Sequence, residues 1–163
     1  MANATDSNST LESQALFNLA LEKINRLRYR EALGHLTDAR KMAPTNAVYL
    51  SFFGLCVAHV QHDYPRAVRV CTQALAANPR DPLVRVNLGK VHRLSGNNEA
   101  AYEELLRAYD LNKQHPATAA ELIRMGVRRP PFFTFLSRQH WVNRYLGMVR
   151  ATLERKLVGQ RQS

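Results

Sequence analysis

The stretch LGKVHRLSGNNEAAYEELLRAYDLN, residues 88–112, decides the fold. It reads as two amphipathic helical stripes at i, i+3, i+4, i+7 spacing, divided by the turn Ser95-Gly96-Asn97-Asn98. Its alanines, Ala101 and Ala108, have counterparts upstream on a nearly fixed ruler. Ala32, Ala67 and Ala101 form one series and Ala39, Ala74 and Ala108 another, with steps of 35 and then 34 residues in both. A period of this length belongs to stacked helical hairpins, each too small to bury its apolar face alone.

The frame around the alanines repeats as well. The first copy holds Leu16, Leu19, Ala20, Leu36 and Pro44; the second holds Leu50, Phe53, Gly54, Val57, Cys71 and Pro79. The third holds Leu88, Gly89 and Leu105, with Lys113 where a proline would sit. Gly inside a helix costs about 1 kcal/mol relative to Ala, so Gly54 and Gly89 predict helix contacts too tight for a methyl group. The small residues Ala20, Gly54 and Gly89 step by 34 and then 35, the reverse of the alanines. One extra residue therefore lies between Gly54 and Ala67, placed most simply in the turn His62-Asp63-Tyr64-Pro65.

On these residues, and on ALAANPRDP (74–82), the chain resembles the tetratricopeptide repeat family over roughly residues 13–115. The resemblance implies an all-α, right-handed superhelix of three antiparallel helix pairs, 13–46, 47–81 and 82–115. Lys23 and His92 at a usual tyrosine position, and Arg85 at the usual tryptophan, depart from the family pattern.

At 163 residues the chain is read as one domain. Residues 1–12, MANATDSNSTLE, are polar and read as a disordered lead instead of a signal peptide. No apolar run reaches 18 residues, and both cysteines fall on core stripes, which suits a reducing cytoplasm better than a disulfide framework. The net charge of +10 is unevenly placed. Residues 1–115 carry 14 Lys and Arg against 11 Asp and Glu, whereas residues 116–163 carry 9 against 2.

That last segment divides into a half-repeat helix opened by Pro116, a Pro/Phe linker, and a basic amphipathic helix after Ser137 that caps the array. Phe132, Phe133, Trp141 and Tyr145 are its apolar candidates; Arg138, Arg144 and Arg150 lie on another face. Trp141, Val142, Tyr145, Leu146, Val149, Leu153 and Leu157 would together forfeit on the order of 10 kcal/mol if left in water, so something covers them. Packing over the third repeat is one reading, since solenoids need caps. A basic helix on a membrane surface, nucleic acid or acidic partner is the other.

By family correspondence, the partner-binding groove falls on the first helix of each pair. Its candidates are Phe17, Leu21, Asn25, Leu55, His59, Val86, Asn87, Lys90 and Arg93. Family members that clamp a chaperone's terminal carboxylate use Lys and Asn where this chain has Phe17, Leu21 and Phe52, so that ligand is not expected. Apolar Phe17, Leu21 and Leu55 beside Asn87, Lys90 and Arg93 suit an acidic or amphipathic protein segment instead. His59, His62 and Asp63 lack a further ligand for a metal, and no nucleophile–base pairing or phosphate loop occurs, so neither metal, cofactor nor catalysis is expected. The expected role is a cytoplasmic, non-enzymatic protein-interaction adaptor or scaffold. A basic surface-binding protein acting through its tail, or a secretion-type chaperone, is the alternative, and the oligomeric state stays open.

Overall fold

A computed structural model describes the backbone of residues 3–126 and the side chains from residue 9 onward. Among the described residues it is all-α, with no strand. The helices are α1 (Asn3–Asn25), α2 (Tyr29–Met42), α3 (Ala47–Gln61), α4 (Tyr64–Ala77), α5 (Pro82–Leu94), α6 (Asn98–Leu111) and α7 (Pro116–Arg124). One compact unit reaches Glu121 and a second begins at Leu122. No helix of the described residues is long and apolar enough to cross a membrane.

Helix starts follow from short polar side chains that satisfy otherwise unpaired N–H groups. Asn46 accepts from the N–H groups of Val48 and Tyr49, Asp63 from Arg66, Asp81 from Leu83 and Asn97 from Ala100, all between 2.8 and 3.1 Å. Pro65 and Pro82 stand in the first turns of α4 and α5, where a missing N–H costs nothing. The second alanine series closes each pair alike: the carbonyls of Ala39, Ala74 and Ala108 accept the N–H of Ala43, Asn78 and Asn112 at 3.0 to 3.1 Å.

Within pairs, α1 packs on α2, α3 on α4 and α5 on α6; between pairs α3 meets α2 and α5, and α4 meets α5. Ala20, Ala32, Ala39, Ala67, Ala74, Ala101 and Ala108 have no exposed surface. The expectation of close approach at the glycines holds. A Cβ on Gly54 would lie 2.5 Å from Cys71 Sγ and 3.1 Å from the Ala67 carbonyl oxygen. One on Gly89 would lie 3.0 Å from Leu105 Cγ and 3.2 Å from the Ala101 carbonyl oxygen. In the second and third pairs the glycine of the first helix thus abuts the alanine of its partner helix. Central α3 is apolar on all sides, buried from Ser51 through Ala58, because α2, α4 and α5 all pack against it.

Two expectations change. The lead over residues 1–12 is helical from Asn3 on, because it contains neither proline nor glycine to break a helix anchored downstream. The extra residue lies in α3 and not in the turn. Left-handed residues stop α1, α3 and α5 at Leu27 (φ 60), His62 (φ 55) and Gly96 (φ 83), each five residues before its alanine. The inserted residue therefore precedes His62, and α3 has 15 residues against 13 in α5. At Leu27 and Gly96 the turn is a Schellman motif: the left-handed N–H bonds three residues back and the next N–H five back, at 2.8 to 3.1 Å.

Candidate functional site

The face expected to bind a partner is built from α1, α3 and α5, and much of it is closed. Phe17 stacks on Tyr49 with centroids 4.6 Å apart and meets Phe52 edge-on at 5.4 Å. Tyr49 Oη donates to Gln14 Oε1 at 3.0 Å, tying α1 to α3. Val86 and Asn87 have no exposed surface and Leu55 almost none. Asn87 Nδ2 donates to Ser51 Oγ at 3.0 Å, and Ser51 Oγ donates onward to the Val48 carbonyl at 2.8 Å. Asn87 therefore clasps α5 to α3 across the seam between consecutive pairs. Of the sequence candidates, Phe17, Leu55, Val86 and Asn87 are interior; Leu21, His59, Lys90 and Arg93 are half-buried and Asn25 is exposed.

Three half-buried candidates meet at one edge. His59 near the end of α3 stacks on Tyr29 of α2, centroids 3.7 Å apart and planes 8° from parallel. Burial pushes the His59 pKa below its ordinary value, and Arg93, Lys90 and His62 push the same way by repelling a proton. The edge is thus cationic without His59, which is held toward its neutral form. Lys90 and Arg93, one turn apart on α5, both face the Glu121 carboxylate of α7, Lys90 Nζ at 3.8 Å and Arg93 Nε at 3.6 Å.

Sequence reasoning missed Glu121. Its signal was faint: an acid on the stripe Thr118, Glu121, Leu122 of a short helix, where spacing alone places a core residue. It also missed Glu104, which accepts from Arg85 Nη1 and Arg107 Nη1, each at 2.7 Å. Arg85 at the usual tryptophan position is thereby explained, since a buried acid on the apolar stripe of α6 supplies its partner. Arg40 of α2 lies over the Phe53 ring of α3 at 4.1 Å, a cation–π contact.

Cys56 and Cys71 are buried thiols pushed up to about 12 by burial, with Cys56 adding to the effect at Cys71. Among the described residues no group of three His, Cys, Asp or Glu is placed to hold a metal ion. The tail candidates Phe132, Phe133, Arg138, Trp141, Arg144, Tyr145 and Arg150, and the capping helix they define, lie outside the described residues.

Residues 58–124 match the family described as Tetratricopeptide repeat. No curated protein matches the sequence. Solved structures share the fold at low identity. The first TPR of Spaghetti (RPAP3) bound to HSP90 peptide SRMEEVD is 17% identical, covering 72% of this chain and 92% of that one, with a TM-score of 0.57. The Arabidopsis OM64 TPR domain is 15% identical over 72% of this chain and 97% of that one, TM-score 0.59. The Sgt2 TPR domain from Aspergillus fumigatus is 18% identical over 77% and 89%, TM-score 0.59. Residues 58–124 thus belong to the tetratricopeptide repeat family, and the described helices carry that family's fold.

Proposed function

We propose that this chain is a non-enzymatic protein-interaction module, an adaptor or scaffold that holds an acidic, amphipathic segment of another protein along the α1–α3–α5 face. The observation that carries the reading is the cationic edge of Lys90 and Arg93, half-buried beside His59. Half-desolvated cations interact more strongly than fully hydrated ones, so they select for negative charge. The bound peptide of the RPAP3 neighbour supports a peptide-binding role for the shared fold. Terminal-carboxylate capture of that kind is not part of the proposal, because Phe17, Leu21 and Phe52 stand where the resemblance assigns Lys and Asn. The proposal places the protein in a reducing, cytoplasmic setting, in keeping with two buried thiols.

The test is fluorescence anisotropy with a short labelled leucine–glutamate peptide, its leucine–glutamine counterpart, and the peptide SRMEEVD. Preference for the first over the second, abolished by Lys90→Glu with Arg93→Glu in a folded chain, is the expected result. Equal affinity for charged and neutral peptides refutes the reading. Stronger binding of SRMEEVD than of an internal acidic sequence refutes its restriction to internal segments.

A further inference from the structure

Among the described residues five basic side chains are half-buried: Lys23, Arg40, Arg85, Lys90 and Arg93. Four of them face a carboxylate at 2.7 to 3.8 Å: Lys23 meets Glu31, Arg85 meets Glu104, and Lys90 and Arg93 meet Glu121. Such pairing is what desolvation demands, since a cation drawn out of water is costly without an opposite charge. Arg40 breaks the pattern. Its guanidinium carbon sits 4.1 Å over the Phe53 ring, which attracts a cation but carries no net charge. Its Nε is buried without a hydrogen bond, while the two Nη groups are not sealed in. Burial lowers the Arg40 pKa, and the charge of Arg66 on α4 adds to the effect by repulsion. Arg66 is exposed, with Nη1 donating to Gln61 Oε1 at 3.1 Å, and it too meets no acid among the described residues. The acids nearest in sequence are engaged elsewhere. Asp38 pairs with Lys41 at 2.8 Å, and Asp63 Oδ1 accepts the backbone N–H of Arg66 at 3.0 Å.

We infer that Arg40 and Arg66 form an oxyanion site spanning α2 and α4 that takes a phosphoryl group, carried on a phosphorylated side chain or free as phosphate. Two cations that repel each other ask for a ligand that satisfies both. A carboxylate brings a single charge, whereas a phosphoryl group brings roughly two and three acceptor oxygens. The planar guanidinium fork suits those oxygens, and stacking on Phe53 sets the plane of the Arg40 fork before any ligand arrives. Nucleic acid fits less well, because it asks for a longer run of cations and for exposed aromatics on which bases stack. Here Phe53 is buried beneath Arg40, and Asp38 and Asp63 interrupt the positive charge. The site stands apart from the α1–α3–α5 face proposed above and does not depend on that reading.

The experiment measures fluorescence anisotropy of the full chain with a labelled glycine–serine peptide bearing one phosphoserine, and with its serine and glutamate counterparts. The phosphoserine peptide binds in preference to both. Arg66→Ala, at an exposed position that folding tolerates, weakens it about tenfold, the worth of one hydrogen bond to a charged group. Arg40→Met, which keeps an apolar stem over Phe53, weakens it by a similar factor, whereas Arg80→Ala removes the same charge from an exposed turn and leaves binding unchanged. Inorganic phosphate that displaces the labelled peptide at or below the concentration of unlabelled peptide needed assigns the site to the free ion; displacement only at higher concentration assigns it to a phosphorylated segment. Equal binding of the phosphoserine and serine peptides overturns the inference, and so does native-like affinity in folded Arg66→Ala. An oligonucleotide that outcompetes the phosphopeptide and is weakened by the same substitutions overturns the choice of ligand.

Discussion

Substituting Gly54 by alanine tests the closest approach in the molecule. The added Cβ would sit 2.5 Å from Cys71 Sγ, 3.1 Å from the Ala67 carbonyl oxygen and 3.3 Å from Val70 Cγ1. None of these yields readily. Cys71 has no exposed surface and its thiol donates to the Ser51 carbonyl at 3.4 Å, while the Ala67 oxygen is helix backbone. Overpacking of this kind costs about 1–3 kcal/mol. Against it stands the gain of replacing glycine inside a helix, about 1 kcal/mol. Gly34, exposed in α2 where an added methyl would meet nothing within 4 Å, isolates that gain. Gly34→Ala therefore stabilises by about 1 kcal/mol in urea unfolding. Gly54→Ala falls below it by the overpacking cost alone, about 1–3 kcal/mol. Cys71→Ala removes the obstructing sulfur, so Gly54→Ala introduced into that background recovers most of the Gly34→Ala gain. A Gly54→Ala chain as stable as Gly34→Ala, or an effect indifferent to Cys71, refutes the argument that close approach of the Cys71 sulfur selects glycine here.

Leu27 is 74% exposed and held at φ 60, a conformation that costs an L-residue roughly 1–2 kcal/mol. Leu27→Gly removes that strain and, after the greater freedom of the unfolded chain, raises stability by about 0.5–1 kcal/mol, seen as a higher urea midpoint. Glu104→Gln breaks both 2.7 Å pairs and leaves Arg85 largely enclosed, for a loss on the order of 2 kcal/mol by the same measurement. Arg85→Met together with Glu104→Leu restores most of it, because matched apolar groups leave no stranded charge. Burial lowers the pKa of both His59 and His92 from 6.5, with Glu104 partly opposing the effect at His92. The unfolded chain thus takes up protons first, so their contribution is complete above pH 6.5 and declines as pH falls. His59→Gln flattens the loss of stability measured between neutral and mildly acidic pH.

Much of this architecture was legible because small residues recur only where backbones nearly touch. Ala67 and Ala101 face Gly54 and Gly89 across their pairs, Ala20 and Ala32 are fully buried in the first, and both series are visible without knowing any angle. The site was less legible for the opposite reason. Period tells which face Phe17, Leu55 and Val86 occupy, but not what covers it, and here Phe17 is closed over by Tyr49 and Phe52. Glu121 and the Arg85 pairing of Glu104 escaped because the cations, Lys90 and Arg93 or Arg85, come from another helix through tertiary contacts that local spacing does not encode. The helical start at Asn3 escaped because residues with weak helix propensity were judged alone, whereas a helix already nucleated at Phe17 and Ala20 extends across them.

The ninth position of the repeat joins these threads. It is Leu21 in the first copy and Leu55 in the second, and the frame accepts an apolar residue there each time. The third copy places Lys90 at the same position, half-buried, and adds Arg93 one turn later. An apolar side chain at this position carries no desolvation cost, whereas a half-buried ammonium does. Where a repeat breaks its own rule at a cost, the broken position is the place to look for function. Lys90→Leu should therefore separate the two roles. Introduced into a Glu121→Gln chain, where no buried carboxylate loses its cation, it makes the fold more resistant to urea while removing the preference for acidic peptide over neutral. A double variant less stable than Glu121→Gln alone would show instead that the lysine serves the fold, and the argument from the broken repeat would not stand.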